Sequence, residues 1–176
     1  MCSDLTAGYK DECYNGLGGI DWAAAIQSTH LDSMTVNANK DEVTAISMKN
    51  GYRAWDFHFE PETANFTDVE TTNAANGTNY AVQTLNIMMN NMLKATRNVV
   101  RSLSRRRTIW IVRLANGSYK VLGAKYGLKQ ETGTGNSGAV RDDRQGYELV
   151  LTSNGEPELA YDIDEALVLA LLLPAS

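Results

Sequence analysis

The chain has 176 residues, of which 43% are hydrophobic and 21% are charged, a composition typical of soluble globular proteins that excludes a chain disordered throughout. The net charge of −5 is unevenly distributed, because residues 89–120 carry eight basic and no acidic groups while both flanking segments are acidic. An acidic total argues against a general nucleic-acid binder, which would usually carry net positive charge.

The N-terminal residues 1–17 contain neither an apolar run nor a basic start, so we expect an N-terminal arm and no secretory signal peptide. Cys2 and Cys13 form no Cys-x-x-Cys motif, and together with His30 and His58 they match no zinc-site spacing. We therefore expect two reduced thiols.

Most of the remaining chain has the alternation and composition of β-strands. The predicted strands are 18–27, 43–48, 51–62, 79–89, 108–114 and 147–152. A hairpin is predicted between residues 43–48 and 51–62, and another within residues 114–123, where Asn116-Gly117 supplies the turn. Further turns are predicted at residues 73–78 and 153–158.

Strict alternation in residues 51–62 puts aromatic and polar side chains on opposite faces of one strand. The polar face holds Asp56, His58 and Glu60, which as a set could bind a divalent metal or perform acid–base chemistry in a hydrolase. We favour a solvated strand face, because no further ligand is predicted beside these three residues.

The three tryptophans, Trp22, Trp55 and Trp110, all lie within predicted strands, and we expect them in the core. Exposed tryptophans near loops would instead indicate a carbohydrate-binding β-sandwich, which is one alternative for this chain.

One amphipathic helix is predicted at about residues 89–106, where apolar side chains keep helical spacing. Arg97, Arg101 and Arg105 recur every four residues along another stripe of this helix. A solvated face explains such a stripe most simply, and contact with an acidic surface of a copy or partner is the second explanation.

The C-terminal segment, residues 165–176, contains the longest apolar run, at residues 166–173. This run is far too short to cross a bilayer as a helix, which needs about 20 residues. We expect a buried strand or a packed interface segment there, and no membrane contact.

Residues 133–138, Gly-Thr-Gly-Asn-Ser-Gly, match the G-x-G-x-x-G pattern of dinucleotide-binding turns. That turn works by opening a helix whose N-terminus holds the pyrophosphate, but a strand is predicted after this one. Asp142 and Asp143 would also repel a phosphate. We expect a flexible surface loop or an arm, no bound nucleotide or other cofactor, and no enzymatic activity.

The order of these elements resembles the tail tube, or major tail, proteins of tailed bacteriophages, especially phages of Bacteroidetes. The resemblance covers residues 13–161 and is carried by "CYNGLGGIDWAAAIQ" (13–27), the Thr/Asn-rich strand pair of residues 57–87 and the helix that follows. The most telling pieces are "NGSYKVLGAKYGL" (116–128) and "GAVRDDRQGYELVLTSNGEPE" (138–158).

The resemblance implies one tail-tube-like domain over residues 1–176, an antiparallel β-sandwich or barrel with a flanking helix. Six copies would close into a ring, and stacked rings would conduct DNA without reading its sequence. The protein would reside in the virion tail after assembly in the bacterial host cytoplasm, in contact with other tail proteins.

A channel for DNA should repel phosphate, so Asp56 and Glu60 are candidate bore-facing acids. Arg97, Arg101 and Arg105 would then meet a neighbouring subunit or a sheath. A single-ring connector or tail-completion protein at the head–tail junction is the nearest alternative, since such proteins share the fold.

Overall fold

The computed structural model describes residues 17–173, and within them the chain is mainly β, with two α-helices. This confirms the predicted mainly β class. The strands, numbered β1 to β11 in chain order, are Ile20–Gln27, Leu31–Val36, Glu42–Met48, Trp55–His58, Ala64–Asn73, Thr78–Asn90, Thr108–Leu114, Tyr119–Leu122, Lys129–Asn136, Gly146–Glu156 and Tyr161–Ile163. Helix α1 spans Lys94–Ser104 and helix α2 spans Glu165–Leu171.

Two parts of the sequence-based expectations lie outside the described residues. They are the predicted arm up to residue 16, with both cysteines, and the last three residues of the C-terminal segment.

The strands form two sheets, one of seven strands and one of four. The seven-stranded sheet has the order β2-β3-β11-β8-β7-β1-β4, and the four-stranded sheet has the order β5-β6-β10-β9. The four-stranded sheet is antiparallel throughout. The seven-stranded sheet is mixed, because β11 pairs parallel with β3, which differs from the purely antiparallel arrangement predicted.

Two apolar layers hold these elements together, one on each face of the seven-stranded sheet. In β1, Ala23 and Ala25 point into the layer shared with the four-stranded sheet, whereas Trp22 and Ile26 point into the layer shared with α2. A strand buried on both faces reads as a nearly continuous apolar run, which is the sequence of β1.

Trp110 occupies the centre of the layer between the sheets and is fully buried. Its ring centroid lies 4.9 Å from that of Phe57. The indole Nε1 donates to the Thr108 hydroxyl over 2.8 Å, so the only polar atom of the ring is satisfied inside the core.

One predicted hairpin is confirmed. β7 pairs with β8, and the Leu114 N–H donates to the Ser118 carbonyl across a loop that contains Asn116-Gly117. Gly117 has φ of 90°, a left-handed conformation that glycine adopts without the steric cost of a side chain.

The other predicted hairpin is wrong, because β3 and β4 lie far apart in the seven-stranded sheet. The segment between β3 and β4 runs to the other edge of this sheet, and two contacts hold it in place. Tyr52 stacks on His30 with ring centroids 3.8 Å apart, and the Ala54 N–H donates to the Leu171 carbonyl over 2.8 Å. The apolar run at residues 43–48 therefore pairs with β2 and β11.

The helix predicted at residues 89–106 begins later, at Lys94. Met89 belongs to β6, where it pairs with Tyr147 of β10 and packs against the layer between the sheets. The spacing of the methionines fits a helix as well as a strand. This segment forms a strand because it pairs with β10.

For the apolar C-terminal run, the sequence predicts either a buried strand or a packed interface segment. The run forms helix α2, so the expectation of a strand is wrong. Val168 and Leu171 of α2 are buried against the seven-stranded sheet, while Leu169 and Leu173 are exposed. The run is therefore the outer layer of the fold, and it also makes two α-helices where one was predicted.

Candidate assembly surface

Each sheet ends in two outer strands that are hydrogen-bonded on one side only within residues 17–173. These are β2 and β4 in the larger sheet and β5 and β9 in the smaller one. Unpaired N–H and C=O groups on such edges can template pairing with another chain. The β2–β3 pairing carries two register shifts, which are irregularities that discourage further addition at β2.

The four-stranded sheet has one face in the core and one face turned outward. Leu85, Ile87, Leu149 and Leu151 point inward and are buried. The outward side chains of the same strands are mostly hydroxyl, amide and aliphatic groups, at Asn65, Thr67, Val69, Val82, Thr84, Asn86, Val150, Thr152, Thr132 and Thr134.

Charges on this outward face are few. Glu131 and Glu148 are its acids, Lys129 and Arg144 lie at its two ends, and Arg107 lies beside Lys129. The face is therefore polar, and it presents no stripe of basic groups along its strands.

Side-chain hydrogen bonds run across the strands on this face. The Asn86 amide donates to the Asn65 carbonyl oxygen over 2.8 Å, and the Thr152 hydroxyl donates to Glu131 Oε2 over 3.0 Å. Cross-strand pairs of this kind help to fix the register of an antiparallel sheet whose outward face lacks apolar packing.

The two outer strands of this sheet run in opposite directions. Each neighbouring pair is antiparallel and the sheet has four strands, so β5 and β9 are antiparallel to each other. If β5 of one copy meets β9 of the next, the junction continues the antiparallel pattern. The sheet can therefore be repeated indefinitely without a change of strand direction.

The peptide groups that β5 offers to a neighbour follow from its pairing with β6. The Met88 N–H donates to the Thr63 carbonyl over 3.0 Å, and hydrogen-bonded pairs alternate along an antiparallel ladder from that point. Odd-numbered residues such as Val69 therefore face β6, and even-numbered residues such as Glu70 direct their N–H groups toward the open edge.

Glycines shape the opposite edge strand, β9. A Cβ on Gly135 would lie 3.0 Å from a ring carbon of Tyr147 and 3.2 Å from the Met92 methyl group, and one on Gly133 would lie 3.3 Å from a Leu149 methyl group. The two glycines thus let β9 approach side chains of β10 and the start of the helical region. Thr132 and Thr134 alternate with them on the outward face.

This geometry corrects the prediction of a loop at residues 133–138. Residues up to Asn136 are part of β9, and among the described residues the chain continues into β10 with no helix between them. In the turn, Asp143 Oδ2 accepts the N–H groups of Ala139 and Val140 at 2.7 and 3.0 Å, which lowers the pKa of this carboxyl. These N–H groups, which a phosphate would need, are already occupied.

Buried polar groups tie the four-stranded sheet to the other sheet. Glu156 is almost fully buried, and its carboxylate accepts the N–H groups of Lys125 and Tyr126 at 3.0 and 2.9 Å and the Ser153 hydroxyl at 2.8 Å. Gln83 Oε1 accepts the Gly123 N–H at 2.7 Å. Nothing in the sequence indicates this role for Glu156, because an acidic residue in a predicted turn is expected to be exposed to solvent.

Asp68, on the inner side of β5, is the other acid held in this region. Its Oδ2 accepts the Ala160 N–H at 2.5 Å, whereas Oδ1 is buried without a hydrogen-bond partner in the described part of the chain. Burial raises the pKa of this carboxyl above its ordinary value.

The sequence-predicted acids Asp56 and Glu60 lie elsewhere, in and just after β4 at the edge of the seven-stranded sheet. Both are exposed, and Asp56 Oδ2 lies 3.2 Å from His58 Nε2. No group of three or more metal-binding side chains occurs within residues 17–173. The predicted bore-facing role of Asp56 and Glu60 stays a prediction.

Arg97 and Arg101 lie on α1 and Arg105 caps its C-terminal end, and all three are exposed. In residues 17–173 the ion pairs involve Lys40, His58, Arg113 and Lys120, so none of the three forms one there. Their predicted contact with a partner remains a prediction.

Two of the three tryptophans expected in the core are buried, but Trp55 is 57% exposed. It lies at the start of the edge strand β4, where only one neighbouring strand covers it. Arg53 stacks over its ring, with Cζ 4.5 Å from the ring centroid.

No protein-family model, no curated protein and no solved structure matches this chain. Within the part of the chain described here, none of the helices has both the length and the apolar character needed to cross a membrane.

Proposed function

We propose that this chain is a structural subunit that assembles with copies of itself through the two outer strands of its four-stranded sheet. The observation that carries the proposal is the antiparallel relation of β5 and β9, which permits head-to-tail repetition without interruption. Seven of the eight β9 residues are exposed, and among the described residues this strand is hydrogen-bonded to β10 alone.

In the form that the resemblance favours, the assembly is the tail tube of a bacteriophage. Six copies would contribute four strands each to a barrel of about 24 strands. With strands about 4.8 Å apart and tilted by about 40°, such a barrel has a backbone diameter of about 48 Å. This leaves an open channel after side chains line the wall, as the passage of DNA requires.

The outward face of the four-stranded sheet would line that channel. Hydroxyl and amide groups without a basic stripe offer phosphates no ion pairs, so a DNA duplex would meet little resistance to sliding. In this arrangement Asp56 and Glu60 lie on the other sheet, away from the bore. The proposal therefore places the channel wall on residues that differ from those predicted from the sequence alone.

The seven-stranded sheet and α2 would face the exterior of the tube. Arg97, Arg101 and Arg105 would be available to an acidic surface on a neighbouring subunit or another tail protein. The protein would then reside in the virion tail, after assembly in the bacterial host cytoplasm.

Negative-stain electron microscopy of the purified full chain, at high concentration and with its neighbouring tail proteins, tests the proposal. We expect stacked rings or tubes. Single rings that never stack, together with a low copy number in the particle, would indicate a connector protein and would contradict a tail tube. A uniformly monomeric protein under all these conditions would refute assembly through the four-stranded sheet.

A further inference from the structure

The two open edges of the four-stranded sheet carry opposite charges near one end of that sheet, the end at which β10 finishes with Glu156. On one side, Glu70 of β5 is level with Glu156, because Ala81 of β6 pairs with both residues. On the other side, β9 begins with Lys129, opposite Thr152 of β10. The last part of β5 and the first part of β9 therefore lie at the same end of the sheet.

The acidic corner, beside β5, surrounds a cleft of about 360 Å³. Its carboxylates are those of Asp41, Glu70, Glu158 and Asp162. Lys40 Nζ lies 3.5 Å from Glu158 Oε1. Lys120 Nζ lies 2.7 Å from Asp162 Oδ1. Within residues 17–173, Asp41 and Glu70 form no ion pair, so this corner keeps a negative charge.

The basic corner, beside β9, consists of Arg107, Lys125 and Lys129. Arg107 and Lys129 line one cavity of about 310 Å³, in which Glu131 is the acid. Arg107 Nη1 donates to the Tyr126 carbonyl over 3.2 Å, and Lys125 Nζ lies 5.2 Å from the centroid of the Tyr126 ring. The three basic residues are exposed and form no ion pair in the described part of the chain, so their charges are open to a partner.

An exposed apolar side chain accompanies each corner. Tyr126 is 47% exposed in the basic corner, and Leu159, which lines the acidic cleft, is 45% exposed. Interfaces between proteins commonly bury such side chains at the centre and keep charged groups around them. Each corner therefore has the composition of an interface patch, and the two patches differ in the sign of their charge.

Among the pairings of these two edges, only a junction between β5 and β9 brings the two corners together. A copy that continues the sheet keeps the same orientation, so its basic corner lies beside the acidic corner of its neighbour. A two-fold pairing of β9 with β9 would instead place the basic corner beside residues 132–136, which carry no charge. A two-fold pairing of β5 with β5 would place the acidic corner beside residues 64–67, which are also uncharged.

We propose that the acidic corner of one copy binds the basic corner of the next, and that these charges set the head-to-tail direction of assembly. The inference rests on the proposed assembly through β5 and β9, and it adds the contacts that select this junction. Open strand edges pair with little discrimination between partners, whereas complementary charges suppress wrong partners and fix the register. Head-to-tail contacts of this kind generate rings where the rotation between copies closes.

Charge reversal of each corner tests the proposal on the full chain. Lys125→Glu/Lys129→Glu makes both corners acidic and retains the hydrogen bond from Arg107 to Tyr126. Glu70→Lys/Glu158→Lys makes both corners basic and retains the backbone N–H at position 70. Sedimentation and electron microscopy would measure the concentration at which half of the chain is assembled. We expect this concentration to rise at least about tenfold for either variant alone, because like charges would meet at the junction.

Mixing the two variants gives the sharpest measurement. In an equimolar mixture, alternating copies place a basic corner beside an acidic corner at every junction, and a ring of six accommodates this alternation. We expect the mixture to assemble at the wild-type concentration, although neither variant does so alone. Circular dichroism would check that each variant is folded. If a double variant does not fold, the single substitutions Lys129→Glu and Glu158→Lys take its place in the same measurement.

Asp32→Lys/Asp56→Lys is the matched control. It also reverses two exposed acids, but these lie on β2 and β4, the outer strands of the seven-stranded sheet. We expect this variant to assemble at the wild-type concentration.

Two results would overturn the proposal and leave assembly through the four-stranded sheet in place. The first is assembly of each charge-reversed variant alone at the wild-type concentration. The second is a mixture of folded variants that stays unassembled where the wild type assembles. A wild type that remains monomeric under every condition would refute the proposed assembly itself, and this inference would fail with it.

Discussion

At the scale of single residues, Glu156 adds a polar link between the two sheets to the apolar layer that they share. Replacing Glu156 with Gln puts an amide N–H₂ group against one of the two backbone N–H donors and removes the charge that strengthens both hydrogen bonds. We expect Glu156→Gln to lower the free energy of unfolding by about 1.5–3 kcal/mol, measured by chemical denaturation.

The control for this prediction is Ser153→Ala, which removes one hydroxyl donor to the same carboxylate and leaves both backbone donors in place. Its expected cost is about 1 kcal/mol. If Glu156→Gln were no more destabilising than Ser153→Ala, the carboxylate would not be the anchor that the geometry indicates.

Asp68 gives a prediction about pH. Its pKa is raised by burial, so the stability it contributes is fully present below the ordinary value of 3.8 and is lost as pH rises through the raised value. We therefore expect the wild type to lose stability relative to Asp68→Asn as the pH rises from about 4, because asparagine does not ionise.

Denaturant titrations at several pH values measure this difference, and Asp142→Asn controls for the general effect of removing one exposed acid. A difference for Asp68→Asn that moved the opposite way with pH would show that the folded protein favours the ionised carboxylate.

At the scale of elements, the close approach of β6 and β10 limits which residues can replace a glycine between them. A Cβ on Gly146 of β10 would lie only 2.1 Å from the Met89 carbonyl oxygen of β6, and this neighbour is backbone that cannot move alone. We expect Gly146→Ala to lower the free energy of unfolding by about 2 kcal/mol or more, measured by thermal or chemical unfolding.

Gly18→Ala is the matched control, because nothing lies within 4 Å of a Cβ at that position. It should leave stability nearly unchanged. Equal stability of the two variants would mean that β6 and β10 are not held as closely as their pairing indicates.

The elements also show what sequence patterns could establish. Alternation and β-branched composition located β1, β7 and β10, and Asn116-Gly117 located the β7–β8 turn, because these signals are local. The partner of β3 and the start of α1 depend on distant strands. Met88 and Met89 fit a helix or a strand equally well until β10 pairs with them.

The candidate surface was harder to predict for the same reason. Gly133 and Gly135 match a nucleotide-binding pattern, and only their pairing with Leu149 and Tyr147 of β10 shows that they belong to an edge strand. Exposure of Trp55 likewise follows from the position of β4 at the end of its sheet, which alternation within one strand does not encode.

At the scale of the whole molecule, assembly through the open edge of β5 should be preventable by a substitution that leaves the subunit folded. Proline lacks an N–H group and is tolerated in edge strands where that group faces away from the sheet. Glu70 directs its N–H toward the open edge, so Glu70→Pro should block pairing with a neighbouring copy while the subunit stays folded.

Val69→Pro is the internal comparison, because the Val69 N–H faces β6 and its loss should unfold the β5–β6 pairing. Electron microscopy and sedimentation would report assembly, and circular dichroism would report folding. We expect Glu70→Pro to give folded monomers where the wild type gives rings, and Val69→Pro to give misfolded protein. Rings formed as readily by Glu70→Pro as by the wild type would show that subunits do not join through β5, since a continued ladder needs the N–H that proline lacks.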